Sequence, residues 1–141
     1  MENVLISSCL LGFPCRYDGR EKPCEKAIAL LKRSDLQLIP YCPECYGGLP
    51  TPRPPAERKG AQVINAEGTD VTAQYQKGAE GALRLCRLYD CKQAILKAKS
   101  PSCGCEKIYD GSFTKTLTRG DGVTAALLKA NGITVHTEDE L

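Results

Sequence analysis

Nine cysteines in a chain of 141 residues are the side chains best suited to chemistry. An odd number does not suit a closed set of disulfides. The chain begins Met1-Glu-Asn-Val-Leu-Ile, with no basic stretch and an apolar run too short for a secretory leader. No window approaches the roughly 18 apolar residues of a membrane span. A reducing cytosol is therefore the expected compartment. There thiols persist as metal ligands, nucleophiles or small buried hydrophobes rather than as disulfides. Cys42-Pro-Glu-Cys45 has a CxxC spacing, which zinc ribbons, redox pairs and clusters all use. The only similar element, Cys103-Gly-Cys105, is one residue tighter than a ribbon needs. Soft thiolates suit zinc and iron–sulfur equally.

General acid–base chemistry would fall to carboxylates. Glu44 stands inside the CxxC, and glutamate is not a turn former, so it is a candidate base. Asp18 and Asp110 each precede glycine, in Arg16-Tyr-Asp-Gly19 and Tyr109-Asp-Gly111; Asp18 reads more readily as a turn residue, and Asp110 equally as a turn residue or an acid–base group. His136 is the only histidine and is expected to be solvated near the last strand. Cys24, Cys86 and Cys91 fall on or beside helical patterns and read as packing. Gly120 and Gly122 precede the last helix, whose N-terminus could receive an anion. A net charge of +2, with dispersed basic residues, gives no argument for a polynucleotide or an acidic membrane. A small-molecule substrate is the partner expected.

The elements that must position these groups alternate. Val4-Leu5-Ile6 reads as a first strand. Pro23 opens a helix that Ala27, Leu30 and Leu31 carry to about Ser34. Leu36 to Tyr41 is a second strand, with Pro40 marking its end. From Cys42 to Gly60 five of the nine prolines fall together, and a long ordered loop without helix or central strand is expected. Ala61 to Ile64 reads as an edge strand. Asp70 caps a helix running to about Tyr89, with Val71, Tyr75, Ala79, Ala82 and Cys86 on one face. Gln93 to Leu96 is a third buried strand. Val123, Ala126, Leu127 and Ala130 carry a last helix that Asn131-Gly132 ends, and Ile133 to Val135 is the final strand. The fold class is α/β: one Rossmann-like domain over residues 1–141, with a short, mostly parallel sheet flanked by helices and a long proline-rich loop. Ligands in such sheets bind beyond the carboxyl ends of the strands. Cys9, Cys42 and Cys103 follow three of those ends, so metal or cluster binding by this set is expected.

Read together, the loops resemble a family. Its blocks are Ser8-Cys-Leu-Leu-Gly12 with Cys15-Arg-Tyr-Asp-Gly19, then Cys42-Pro-Glu44 running into Gly47-Gly-Leu-Pro-Thr-Pro-Arg-Pro-Pro-Ala-Glu57. Lys99-Ser-Pro-Ser-Cys-Gly104, Ile108-Tyr-Asp-Gly-Ser-Phe113 and Gly120-Asp-Gly-Val-Thr-Ala-Ala126 complete them. The chain resembles the thiouracil desulfurases (TudS-like) along essentially its whole length. The resemblance implies a [4Fe–4S] cluster on Cys9, Cys42 and Cys103 that leaves one iron open, with Cys15 the substitute and Cys45 and Cys105 beside two of the ligands. It implies non-redox conversion of 2-thiouracil or a related thiolated pyrimidine to uracil and hydrogen sulfide. Glu44 would activate the water, and Ser100 would hydrogen-bond the substrate or relay a proton. The further domain that some members carry, associated with thiolated tRNA, has no counterpart here, which points to a free nucleobase and no nucleic acid. Two other readings stand beside it: a structural zinc module for a protein or RNA partner, and a persulfide carrier on Cys15 or Cys45.

Overall fold

Val4, Leu5 and Ile6 lie in a strand buried on both faces, and the architecture follows from that. The computed structural model describes residues 1–141. In chain order its elements are β1 (Glu2–Ser7), α1 (Glu25–Ala29), β2 (Leu36–Tyr41), α2 (Pro43–Tyr46), β3 (Ala56–Lys59) and β4 (Gln62–Asn65). They continue with α3 (Thr72–Leu88), β5 (Gln93–Leu96), β6 (Lys107–Tyr109), β7 (Leu117–Arg119), α4 (Val123–Ala130) and β8 (Thr134–Thr137). Four strands form one parallel sheet in the order β2-β1-β5-β8. Leu5, Ala94 and Leu96 bury against Ala82, Leu83 and Cys86 of α3 and Ala125 and Leu128 of α4. The alternate residues Val4, Ile6 and Ile95 pack on the other face with Leu10 and Ala27. This period-two division covers both sides of the sheet, as a parallel sheet requires. Each fully buried aliphatic chain, such as Leu5 or Ile6, contributes about 1.5–3 kcal/mol. No helix is long and apolar enough to cross a membrane.

Several expectations are corrected. A helix does form inside the proline-rich stretch: Pro43 is the first residue of α2, which runs to Tyr46. Proline costs nothing at that position, because its missing N–H would have had no partner; only the helix interior excludes it. Gly48, at φ +96°, ends the turn. The edge strand belongs to a separate antiparallel hairpin, β3–β4, and a second hairpin, β6–β7, was not foreseen. Both are too short and polar to show a period. The helix from Pro23 breaks up early, with α1 ending at Ala29 and a 3-10 turn following to Lys32. On α4 the buried residues are Thr124, Ala125 and Leu128, while Ala130 is exposed. The buried face is turned from the expected one: Thr124 is wholly buried, its hydroxyl 2.8 Å from that of Ser102. The N-cap of α3 is Val71 rather than Asp70; the Asp70 carboxylate, one residue earlier, accepts the Thr72 N–H at 2.9 Å. Pro40 sits in β2, an edge strand of the sheet, where its missing donor is tolerated.

The chain passes from β2 to the far side of β1 to make β5, so the strand order reverses between β1 and β5. A crevice opens outside the carboxyl ends at such a reversal. Ser7, the last residue of β1, accepts the Lys97 N–H at 3.0 Å there, binding the two strand ends together.

Candidate active site

Each cysteine of interest is fixed by its own local device. Cys9 lies in a single 3-10 turn, Ser8–Leu11, which Gly12 closes in the left-handed conformation. Cys42 directly follows β2 and is the N-cap of α2, so the thiol stands at a helix start. Helix α3 crosses α2 closely: a β-carbon on Gly78 would collide with the Pro43 carbonyl. The Tyr41 hydroxyl also donates to the Gly78 carbonyl at 2.7 Å. Cys103 is held more tightly still. The opening N–H groups of α4, which lack partners within the helix, donate to the preceding loop: Val123 to Pro101 O (2.9 Å) and Thr124 to Ser102 O (2.8 Å). Beneath them the buried hydroxyls of Ser102 and Thr124 lie 2.8 Å apart. The start of α4 is thus occupied by the loop and does not receive an anion. A β-carbon at Gly122 would strike the Ser102 carbonyl. Gly122→Ala is expected to displace the Cys103 loop, lowering Tm by about 5–10 °C and reducing metal uptake, as overpacking of about 1–3 kcal/mol predicts. A thermal melt beside an iron assay checks this.

These loops meet around a cleft of about 520 Å³, lined among others by Cys9, Cys15, Cys42, Cys103, Glu44 and Ser100. The structure thus brings together all three sequence-predicted thiols, with Cys15 as a fourth. Cys45 and Cys105 do not line it. The Cys45 thiol is exposed near Thr51 Oγ1 (3.7 Å), and that of Cys105 points to the Val135 carbonyl (3.8 Å). Asp18 and Asp110 are also outside, each turning its own loop by accepting the N–H two residues on. His136 lies between Glu140 and Gln93, away from the thiols. Cys86 and Cys91 are buried in the main core.

The neighbouring Cys42 and Cys9 thiols hold Cys15 well below the usual thiol range, and its sulfur lies 3.3 Å from Ser8 Oγ. The same proximity to Cys15, followed by burial, pushes Cys42 and Cys9 well above it. Burial raises Cys103 to about 11. Thiolates are the metal-binding form, so three of the four thiols would shed protons on taking up a soft metal.

Glu44, the second residue of α2, is fixed at both oxygens. The Tyr75 hydroxyl donates to Oε1, and Arg53 Nη2 lies 3.5 Å from Oε2. Arg53 is buried, and it also donates to the carbonyls of Cys15 (2.9 Å) and Pro50 (3.2 Å). Burial opposes its charge, but Glu44 and the neighbouring thiols raise its pKa above the ordinary value. Burial, with the Glu44 charge behind it, raises Tyr75 as well. Sequence reasoning missed both supports. Arg53 falls among prolines with no periodic pattern, and Tyr75 lies on the apolar face of α3. Ser100 lines the cleft, and its oxygen accepts the N–H groups of Ser102 (3.1 Å) and Cys103 (3.0 Å). With both lone pairs engaged, the hydroxyl has only its proton to offer.

A profile of the 2-thiouracil desulfurase family matches residues 4–140. The chain belongs to that family. It is 41% identical over 148 residues to the uncharacterized protein YbbK of Bacillus subtilis (strain 168), covering 98% of this chain and 97% of that one. Among solved structures it resembles the [4Fe-4S]-dependent thiouracil desulfidase TudS, with 47% identity and a TM-score of 0.93, covering 100% of this chain and 93% of that one. The four-stranded parallel sheet with flanking helices is thus the fold of this desulfurase family.

Proposed function

We propose that residues 1–141 form one functional unit, a cytoplasmic [4Fe–4S]-dependent enzyme that hydrolyses 2-thiouracil or a related thiolated pyrimidine to uracil and hydrogen sulfide. The observation that carries the reading is the convergence of Cys9, Cys42 and Cys103, from three separate strand ends, on a cleft that also holds Glu44. The donor set is all sulfur, which suits an iron–sulfur group. A relative of 47% identity that is named [4Fe-4S]-dependent supports the same group.

When bound through three cysteines, such a cluster supplies an iron with a free position, a Lewis acid suited to a thiocarbonyl sulfur. The chain's own residues do the rest. Glu44 takes a proton from the water aimed at C2 of the base. Tyr75 holds Oε1 and Arg53 stands beside Oε2, so the carboxylate cannot swing away from the cleft. Ser100, which can only donate, offers its proton to an oxygen or ring nitrogen of the substrate. Water supplies the oxygen of uracil and the thiocarbonyl sulfur leaves as hydrogen sulfide, with no net transfer of electrons. Anaerobic reconstitution tests this. Uracil and sulfide should appear in equal amounts from 2-thiouracil without added reductant. A colourless protein with stoichiometric zinc and no sulfide release would sink the reading.

A further inference from the structure

One carboxylate in the cleft has no part in that chemistry. Glu57 stands on β3, is only 9% exposed, and lines the cleft. No lysine, arginine or histidine pairs with it. Its Oε1 accepts the backbone N–H groups of Gly111 (3.0 Å) and Phe113 (3.1 Å). Its Oε2 takes no hydrogen bond from the protein, although a carboxylate oxygen has two acceptor sites. Oε2 is not fully buried, so it stays open to whatever occupies the cleft. An acceptor left free beside a cleft therefore points to a donor on whatever enters.

The loop that Oε1 holds is itself strained. Gly111 and Phe113 have φ of +94° and +59°, and for phenylalanine that conformation must be imposed by its surroundings. Phe113 lines the same cleft and is 40% exposed. Its ring is available to a flat ligand.

A thiolated pyrimidine is flat and carries ring N–H donors. Resting on the desulfurase reading, we propose that Glu57 is the residue that recognises the base. Oε2 accepts a ring N–H, while Oε1 fixes the loop that sets Phe113 against the ring. Glu44 drives the reaction, and Glu57 selects what is presented to it.

The test compares 2-thiouracil with its 1-methyl and 3-methyl derivatives, each lacking one N–H, on the cluster-loaded wild type and Glu57→Gln. In the wild type, one methyl isomer should lose about tenfold or more in kcat/KM, the size expected for a hydrogen bond to a charged group. Glu57→Gln should lose a similar factor on 2-thiouracil through KM, with kcat and visible absorption unchanged. It should also no longer separate that isomer from the parent compound. Uracil titrated calorimetrically should bind the variant more weakly. The proposal is overturned if the wild type accepts both isomers as readily as 2-thiouracil, a result that needs no variant to fold. It is overturned equally if Glu57→Gln keeps the wild-type discrimination or uracil affinity. Should no thiouracil yield sulfide, the desulfurase reading fails, and the uracil titration alone decides for or against Glu57.

Discussion

Cys103→Ala is expected to give a colourless protein that releases no sulfide, while Cys105→Ala, two residues away, keeps both colour and turnover. The contrast follows from where the two thiols lie. Cys103 lines the cleft, on a loop clamped to the start of α4 by four backbone or hydroxyl contacts to Ser102 and Pro101. Cys105 packs against the main core with its sulfur toward the Val135 carbonyl. A site of three cysteines has no spare ligand, so losing one removes the group and the activity with it. Cys9→Ala and Cys42→Ala should behave as Cys103→Ala does. Visible absorption and iron content of anaerobically prepared samples check the set. A brown, iron-replete Cys103→Ala would move the site elsewhere, with Cys15 the first replacement to test.

Glu44→Gln should do the opposite: full colour with turnover reduced by about 10²–10⁴, the range for loss of a positioned general base. Glutamine keeps the shape and an oxygen for the Tyr75 hydroxyl, so the site should survive. What it lacks is an oxygen able to take a proton. Arg53, which lies beside Oε2, would then face a neutral amide. Single-turnover measurement of sulfide against time separates this from a binding defect. An active Glu44→Gln enzyme would remove Glu44 from the mechanism.

Much of this was legible in the residues themselves. The strands β2 and β5 run from Leu36 to Tyr41 and from Gln93 to Leu96, as their apolar runs suggest. That regularity is enough to line up residues 9, 42 and 103 at one edge. Four features were not legible, each for its own reason. The turn of α2 hid behind prolines, because proline forbids a helix interior but not its first residue. The two hairpins are held by backbone pairing, not by a hydrophobic face. Tyr75 sits on the apolar side of α3, so its hydroxyl contact with Glu44 has no pattern in the sequence. Arg53 and Glu57 fall in a stretch of prolines with no period at all. Their roles depend on loops far away in the chain, at Cys15 and at Gly111 to Phe113. Long-range contacts of that kind exist only once the chain is folded.

In the proposed function, three thiolates would hold a cluster whose remaining iron meets the substrate's sulfur. Mössbauer spectra of the anaerobically loaded protein, with and without 2-thiouracil, test it most directly. The account predicts that substrate alters the signal of a single iron within the cluster and leaves the others in place. Sulfide release with every iron unperturbed, or from protein holding no cluster, would contradict it.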